Sequence, residues 1–194
     1  MKTSYVVLLA ALALPAGLAA QQQPSGPPTD PITTVFRNRT MALQRNLAQA
    51  FDSIPERLFP YKPTPAQLSI GYVAQHLATD NYIFCNNFGD MKAPRAAEDT
   101  TTADSVKATW PRDRLIAKLK ESFTFCEQAF GQLTDAKLAE QITVTARNGQ
   151  TRQVPRTAYV LGHVVDMADH YSQIANYMRL NNMLPPTALP RPPQ

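Results

Sequence analysis

Apolar residues recur at helical spacing in several stretches of the chain. From Ile32 to Ile54, Phe36, Leu43, Leu47, Ala50 and Ile54 return at intervals of three, four and seven, which predicts an amphipathic helix ended by Pro55. The next segment, PERLFPYKPTP, carries four prolines and reads as a tight connection. Thr64-Pro65-Ala66-Gln67 has the chemistry of a helix start: a capping hydroxyl, proline at the first position, and a glutamine to complete a capping box. That second helix is expected to reach Phe88, with Gly89 as its stop. It is apolar on two sides, one bearing Val73, His76, Asp80 and Ile83, the other Leu77, Phe84, Cys85 and Phe88. A helix of this kind sits among several neighbours.

Asp90 to Thr109 is a long polar connection of the crossover type. A third helix follows Trp110-Pro111, with Leu115, Leu119, Phe123, Cys126 and Phe130 on its buried face and Gly131 at its end. Residues 133–141 add a turn or two. ITVTARNGQTRQV then alternates about Asn148-Gly149, which predicts a hairpin with a type I′ turn, closed by Pro155. The fourth helix begins near Thr157 and ends at Pro185-Pro186, and the proline-rich tail, residues 187–194, reads as loose. The sum is an all-α four-helix bundle with a long crossover between helices two and three.

Composition adds a compartment. Lys2, an apolar run from Tyr5 to Leu14 and small residues from Ala16 to Ala20 have the form of a secretory signal peptide over residues 1–20. Residues 21–31, rich in proline and poor in apolar side chains, form a disordered linker to a bundle over 32–186. The expected destination is the periplasm or the medium. No stable membrane anchor is expected after cleavage. The mature chain carries a net charge of only +3, dispersed along its length, which argues against nucleic acid as a partner.

The chemistry-bearing residues gather on the last helix. His163, Asp166 and His170 share one stripe at spacings of three, four and seven, beside an apolar stripe of Val160, Val164, Met167, Ala168, Tyr171, Ala175 and Met178. Asp166 and His170, at i and i+4, can reach one ion; His163 and His170 are about 10.5 Å apart along the axis, too far to share one comfortably. His163 is therefore a partner of the ligands or an alternative ligand. His76 supplies a third ligand from helix two, with Asp80 one turn later as an outer candidate. Three protein ligands leave a coordination position open for water or for a substrate sulfur or carbonyl. The plainer alternative is a set of hydrogen-bonded polar residues at a bundle edge. Cys85 is turned about 180° from His76 on the same helix and is not a ligand. If the crossover makes helices two and three parallel, Cys85 and Cys126 come to one level, and export permits a disulfide; the alternative is two buried thiols. Trp110 reads as a helix-start anchor or as a pocket wall. Phosphate loops, CxxC pairs and serine nucleophile motifs are absent from the sequence.

Two stretches resemble a known family. YKPTPAQLSIGYVAQHLATDNYIFC is similar to the second-helix region of DinB/YfiT-like proteins, and LGHVVDMADHYSQIANYMRLNNMLPP to their last helix, with its His-Tyr-x-Gln, Tyr-x-Arg and Pro-Pro features. The resemblance implies an up-down-down-up bundle holding a divalent ion on three side chains. It places His76 and His170 as ligands and puts Asp166 where the family often has histidine, which opens the choice among zinc, nickel, manganese and iron. It further implies a metal-dependent transferase or hydrolase acting on a small molecule, with a homodimer compatible. His163 or Asp80 are the candidates for proton transfer, with no catalytic role assigned. Export weighs against transfer to the cytosolic small thiols. The alternative is a non-catalytic envelope or stress-related binding protein with a structural or degenerate site.

Overall fold

The computed structural model describes residues 29–190 apart from Ala146 and Arg147; the expected signal peptide, the expected linker over 21–28 and the last four residues lie outside that range. Helix α1 spans Pro31–Ser53. Its proline occupies the first turn, where a missing N–H costs nothing. The cap comes from a distant residue: the Asp135 carboxylate accepts from Ile32 N at 3.1 Å and Thr33 N at 2.7 Å. Asp30 returns the favour to Asp135 N at 2.8 Å. The linker thus ends at Asp30, one residue before the expected boundary.

Helix α2, Ile70–Gly89, starts later than the Thr64 signal predicts. Thr64 to Gln67 form an isolated turn closed by Gln67 N on Thr64 O. The working cap is Ser69, whose Oγ accepts from Tyr72 N at 3.1 Å. The reason is tertiary: Ile70 N and Gly71 N donate to Tyr61 O and Phe59 O, which pins the first turn against the proline-rich connection. At the other end, Gly89 is still helical, and the left-handed residue is Asp90 at φ 53°. Gly89 serves packing, because a Cβ there would stand 2.5 Å from Ala129 Cβ.

The connection 90–109 carries two short helices, α3 (Ala97–Thr101) and α4 (Asp104–Lys107). Helix α5 spans Arg112–Gly131, α6 Asp135–Leu138 and α7 Arg156–Leu180. All the predicted apolar positions of α5 are buried. Between α6 and α7 lies the hairpin, β1 (Gln141–Thr145) and β2 (Thr151–Pro155). Its pairing runs from Gln141↔Pro155 to Thr145↔Thr151. The connection is therefore 146–150, longer than the two-residue type I′ turn predicted, with Gly149 at φ 80°. Ile142 and Val144 face inward, and the buried Arg156 ties the hairpin down through Glu140 at 2.8 Å, Asp90 at 3.0 Å and Phe88 O at 2.6 Å.

Contacts between α2 and α5 advance in the same sense along both helices: Asn81 with Ser122, Cys85 with Cys126, Phe88 with Phe130. The cysteines are bridged, with Cα atoms 5.2 Å apart. Contacts of α1 with α5 and of α2 with α7 run in opposite senses, Arg37 reaching Phe130 O and Asp52 reaching Lys120, His76 meeting His170 and Phe84 meeting His163. The core divides into two clusters. One holds Leu47, Phe51, Val73, Leu77, Leu119, Met167 and Ile174. The other surrounds the disulfide with Phe88, Phe125, Phe130 and Val160. The tail is not loose where described: Pro185 is buried, and Thr187 exchanges hydrogen bonds with the Tyr171 hydroxyl at 2.9 and 3.1 Å. No described helix is long and apolar enough to cross a membrane.

Candidate metal centre

Helices α2 and α7 bring His76, Asp166 and His170 together at a partly buried edge of the bundle. One ligand atom from each lies within 4.8 Å of the others. That is close to the span of donors sharing one ion at about 2.0–2.2 Å. The two imidazole rings meet edge to face, 5.0 Å between centroids. His170 Nε2 stands 3.6 Å from Asp166 Oδ1, and His76 Nε2 stands 3.3 Å from Asp80 Oδ2.

The proton on His170 can be assigned from its surroundings. Leu68 O is a carbonyl and can only accept, so the Tyr177 hydroxyl donates to it at 3.1 Å. That hydroxyl then accepts from the Gln173 amide nitrogen at 2.8 Å. Gln173 Oε1 is left facing His170 Nδ1 at 3.1 Å and must accept from it. His170 Nδ1 therefore carries a hydrogen, which leaves Nε2, the nitrogen nearest Asp166, as the ring atom available to a metal. This is how a metal-binding imidazole is oriented by a partner behind it. Gln173 and Tyr177 were not singled out from sequence as site residues, although their spacing of three and seven from His170 places them on its face.

Asp166 completes the donor set. Its Oδ2 is buried and has no hydrogen-bond partner among the described residues. Burial pushes its carboxyl above the usual carboxylate range; Asp80 and Asp169 add to the rise, and His170 and His76 oppose it. A buried carboxylate oxygen with nothing to bind is costly alone and is satisfied by a cation. The residues present therefore fit a divalent ion.

His163 does not join this group. The stripe divides by height: His163 is fully buried, ringed by Phe84, Phe88 and Phe130 at centroid distances near 6 Å. Its Nε2 is 4.0 Å from Cys85 Sγ, and its Nδ1 has no partner among the described residues. Burial drops its pKa to about 3, so it is neutral. Cys85, Cys126 and His163 also lie close enough to share an ion, but the two sulfurs are bonded to each other and offer no thiolate. Trp110 is both anchor and wall: the Arg114 guanidinium stacks over its ring at 3.5 Å, and it borders a cleft of about 670 Å³ with Phe59, Leu68, Tyr72 and Arg112.

The class that the fold and site define is a mostly helical bundle with a candidate three-donor site shared by two of its helices. Within that class, a profile of the DinB superfamily matches residues 40–174, and the chain belongs to that superfamily. Solved structures agree on the fold. A DinB-like protein from Bacillus cereus superposes with a TM-score of 0.60 at 16% identity, covering 78% of this chain and 93% of its own. A conserved protein from Enterococcus faecalis gives 0.56 at 14% identity, covering 77% and 96%. A mycothiol-dependent maleylpyruvate isomerase gives 0.57 at 12% identity, covering 73% of this chain and 60% of the isomerase. No curated protein matches the sequence.

Proposed function

We propose that the chain is an exported DinB-superfamily protein that holds one divalent ion on His76, Asp166 and His170 and acts on a small molecule as a metal-dependent transferase or hydrolase. The observation that carries this reading is the relay Leu68–Tyr177–Gln173–His170, which commits His170 Nδ1 to Gln173 and leaves Nε2 beside Asp166, whose buried Oδ2 has no hydrogen-bond partner among the described residues. The mixed histidine and carboxylate donors suit zinc, nickel, manganese or iron. The bound ion would supply Lewis acidity toward a carbonyl or thiolate of the substrate. Asp80, with Oδ2 3.3 Å from His76 Nε2, orients that ring and sits where a proton could be passed. An up-down-down-up bundle is supported by the like sense of α2 and α5 and the opposed senses of α1 with α5 and of α2 with α7. Export is supported by the form of residues 1–20 and by the bridged cysteines, which suit an oxidising compartment.

Metal analysis of protein purified without a metal-binding tag tests the reading. About one ion per chain is expected, with a lower melting temperature after chelation. His170→Ala should remove both the ion and the chelator effect, and Gln173→Leu should weaken binding about 10–100-fold. Coincident melting curves with and without chelator, and no uptake of added zinc, nickel or manganese, would overturn it.

A further inference from the structure

One turn along α2 from His76, at Asp80, opens a cleft of about 370 Å³, walled by α2, β2 and the start of α7. Its size falls within the ordinary range for small-molecule sites. Phe84 and Tyr159, stacked edge to face at 5.8 Å, form its apolar wall with Val154. Two charged side chains also line it. Asp80 comes from α2 and contacts His76, so the cleft reaches the metal centre through that residue. Arg152 comes from β2.

Arg112, Arg114 and Arg156 each hold a carboxylate. The exposed Arg152 side chain makes no ion pair or hydrogen bond with any described residue, and it borders a concave surface. A guanidinium presents a planar fork of donors that matches a carboxylate in both geometry and charge. The aromatic wall between Arg152 and Asp80 suits a flat apolar body. The Asp80 end would repel an anion, which fixes the orientation: the anionic group toward β2, the reacting group toward α2 and α7.

We infer that the cleft binds a small substrate with an apolar body and a carboxylate, and that Arg152 on the hairpin is the residue that selects the carboxylate. The inference rests on the metal reading above. It gives the hairpin a purpose, since β2 carries a specificity residue to the edge of a helical site.

The test uses the full chain loaded with cobalt(II), whose sulfur-to-metal absorption reports a thiolate at the ion. The probes are para-(mercaptomethyl)benzoate and its neutral carboxamide, which share shape and thiol but differ in charge. The parent should bind the benzoate about tenfold more tightly, the equivalent of one charge-assisted hydrogen bond at a partly solvated site. Arg152→Gln should erase the preference without changing carboxamide affinity, and Arg152→Lys should restore part of it. Equal binding of the two probes by the parent, or a preference that survives in Arg152→Gln, overturns the role of Arg152 and leaves the metal centre standing. Failure of the chain to load cobalt(II) overturns the metal reading, and this inference falls with it; a loaded chain that shows no sulfur-to-cobalt band with either probe overturns this inference alone.

Discussion

His163 takes up a proton near pH 6.5 in an unfolded chain but only at about pH 3 in the fold, because burial opposes the charge. Between those values the unfolded state binds the extra proton. The stability linked to this group is complete above about pH 6.5 and drains as pH falls toward 3, at up to about 1.4 kcal/mol per pH unit. His163→Leu removes the proton site and leaves no buried polar atom behind. Urea unfolding at several pH values should show the variant gaining on the parent from pH 6.5 downward; parallel curves would place the acid sensitivity elsewhere. The same residue marks a limit of sequence reading. Periodicity put His163, Asp166 and His170 on one face, and in angle they are. It carries no information about height, and about two turns along α7 separate the buried His163 beside the disulfide from His170 at the open edge. The i and i+4 spacing that brings Asp166 and His170 together was legible. The orienting relay was not, because it depends on Leu68 arriving from another part of the chain.

Helix ends show the same division between local and tertiary causes. The residues between Thr64 and Ser69 offer two starts for α2, and hydrogen bonds to Phe59 O and Tyr61 O select the later one. Hairpin existence followed from alternation, but its register is set by the burial of Ile142 and Val144 and the anchoring of Arg156. Gly89 looked like a stop and is instead a contact point between α2 and α5. Gly89→Ala should destabilise by about 1–3 kcal/mol through overpacking against Ala129. Gly131→Ala is the matched control, since nothing lies within 4 Å of a Cβ there. It should be neutral or stabilise by about 0.5–1 kcal/mol through helix propensity. Denaturant midpoints for both variants measure the contrast, and a harmless Gly89→Ala would mean that the two helices can part without penalty.

At the scale of the molecule, the mostly helical fold was legible from periodicity and the cysteine pair from the one long polar connection, while the short helices α3 and α4 within that connection were not. The bridge spans a sequence separation of 41 residues. In the chain-entropy treatment a loop of that length contributes about 4 kcal/mol. Replacing both cysteines by alanine should lower unfolding stability by about that amount, and the unmodified protein should show no free thiol when denatured without reductant. An unchanged urea midpoint would mean that native-state strain cancels the entropic gain. The bridge also has a bearing on the metal centre. The ring that an ion would close, from His76 to His170, encloses the ring that the sulfurs close, from Cys85 to Cys126. The inner link is a short cut along the outer path, so an oxidised chain brings its metal donors together from a smaller conformational space than a reduced one. With an ion on the proposed donors, redox state and metal-assisted folding would be coupled by nested topology, with no contact required between the sulfurs and the ion.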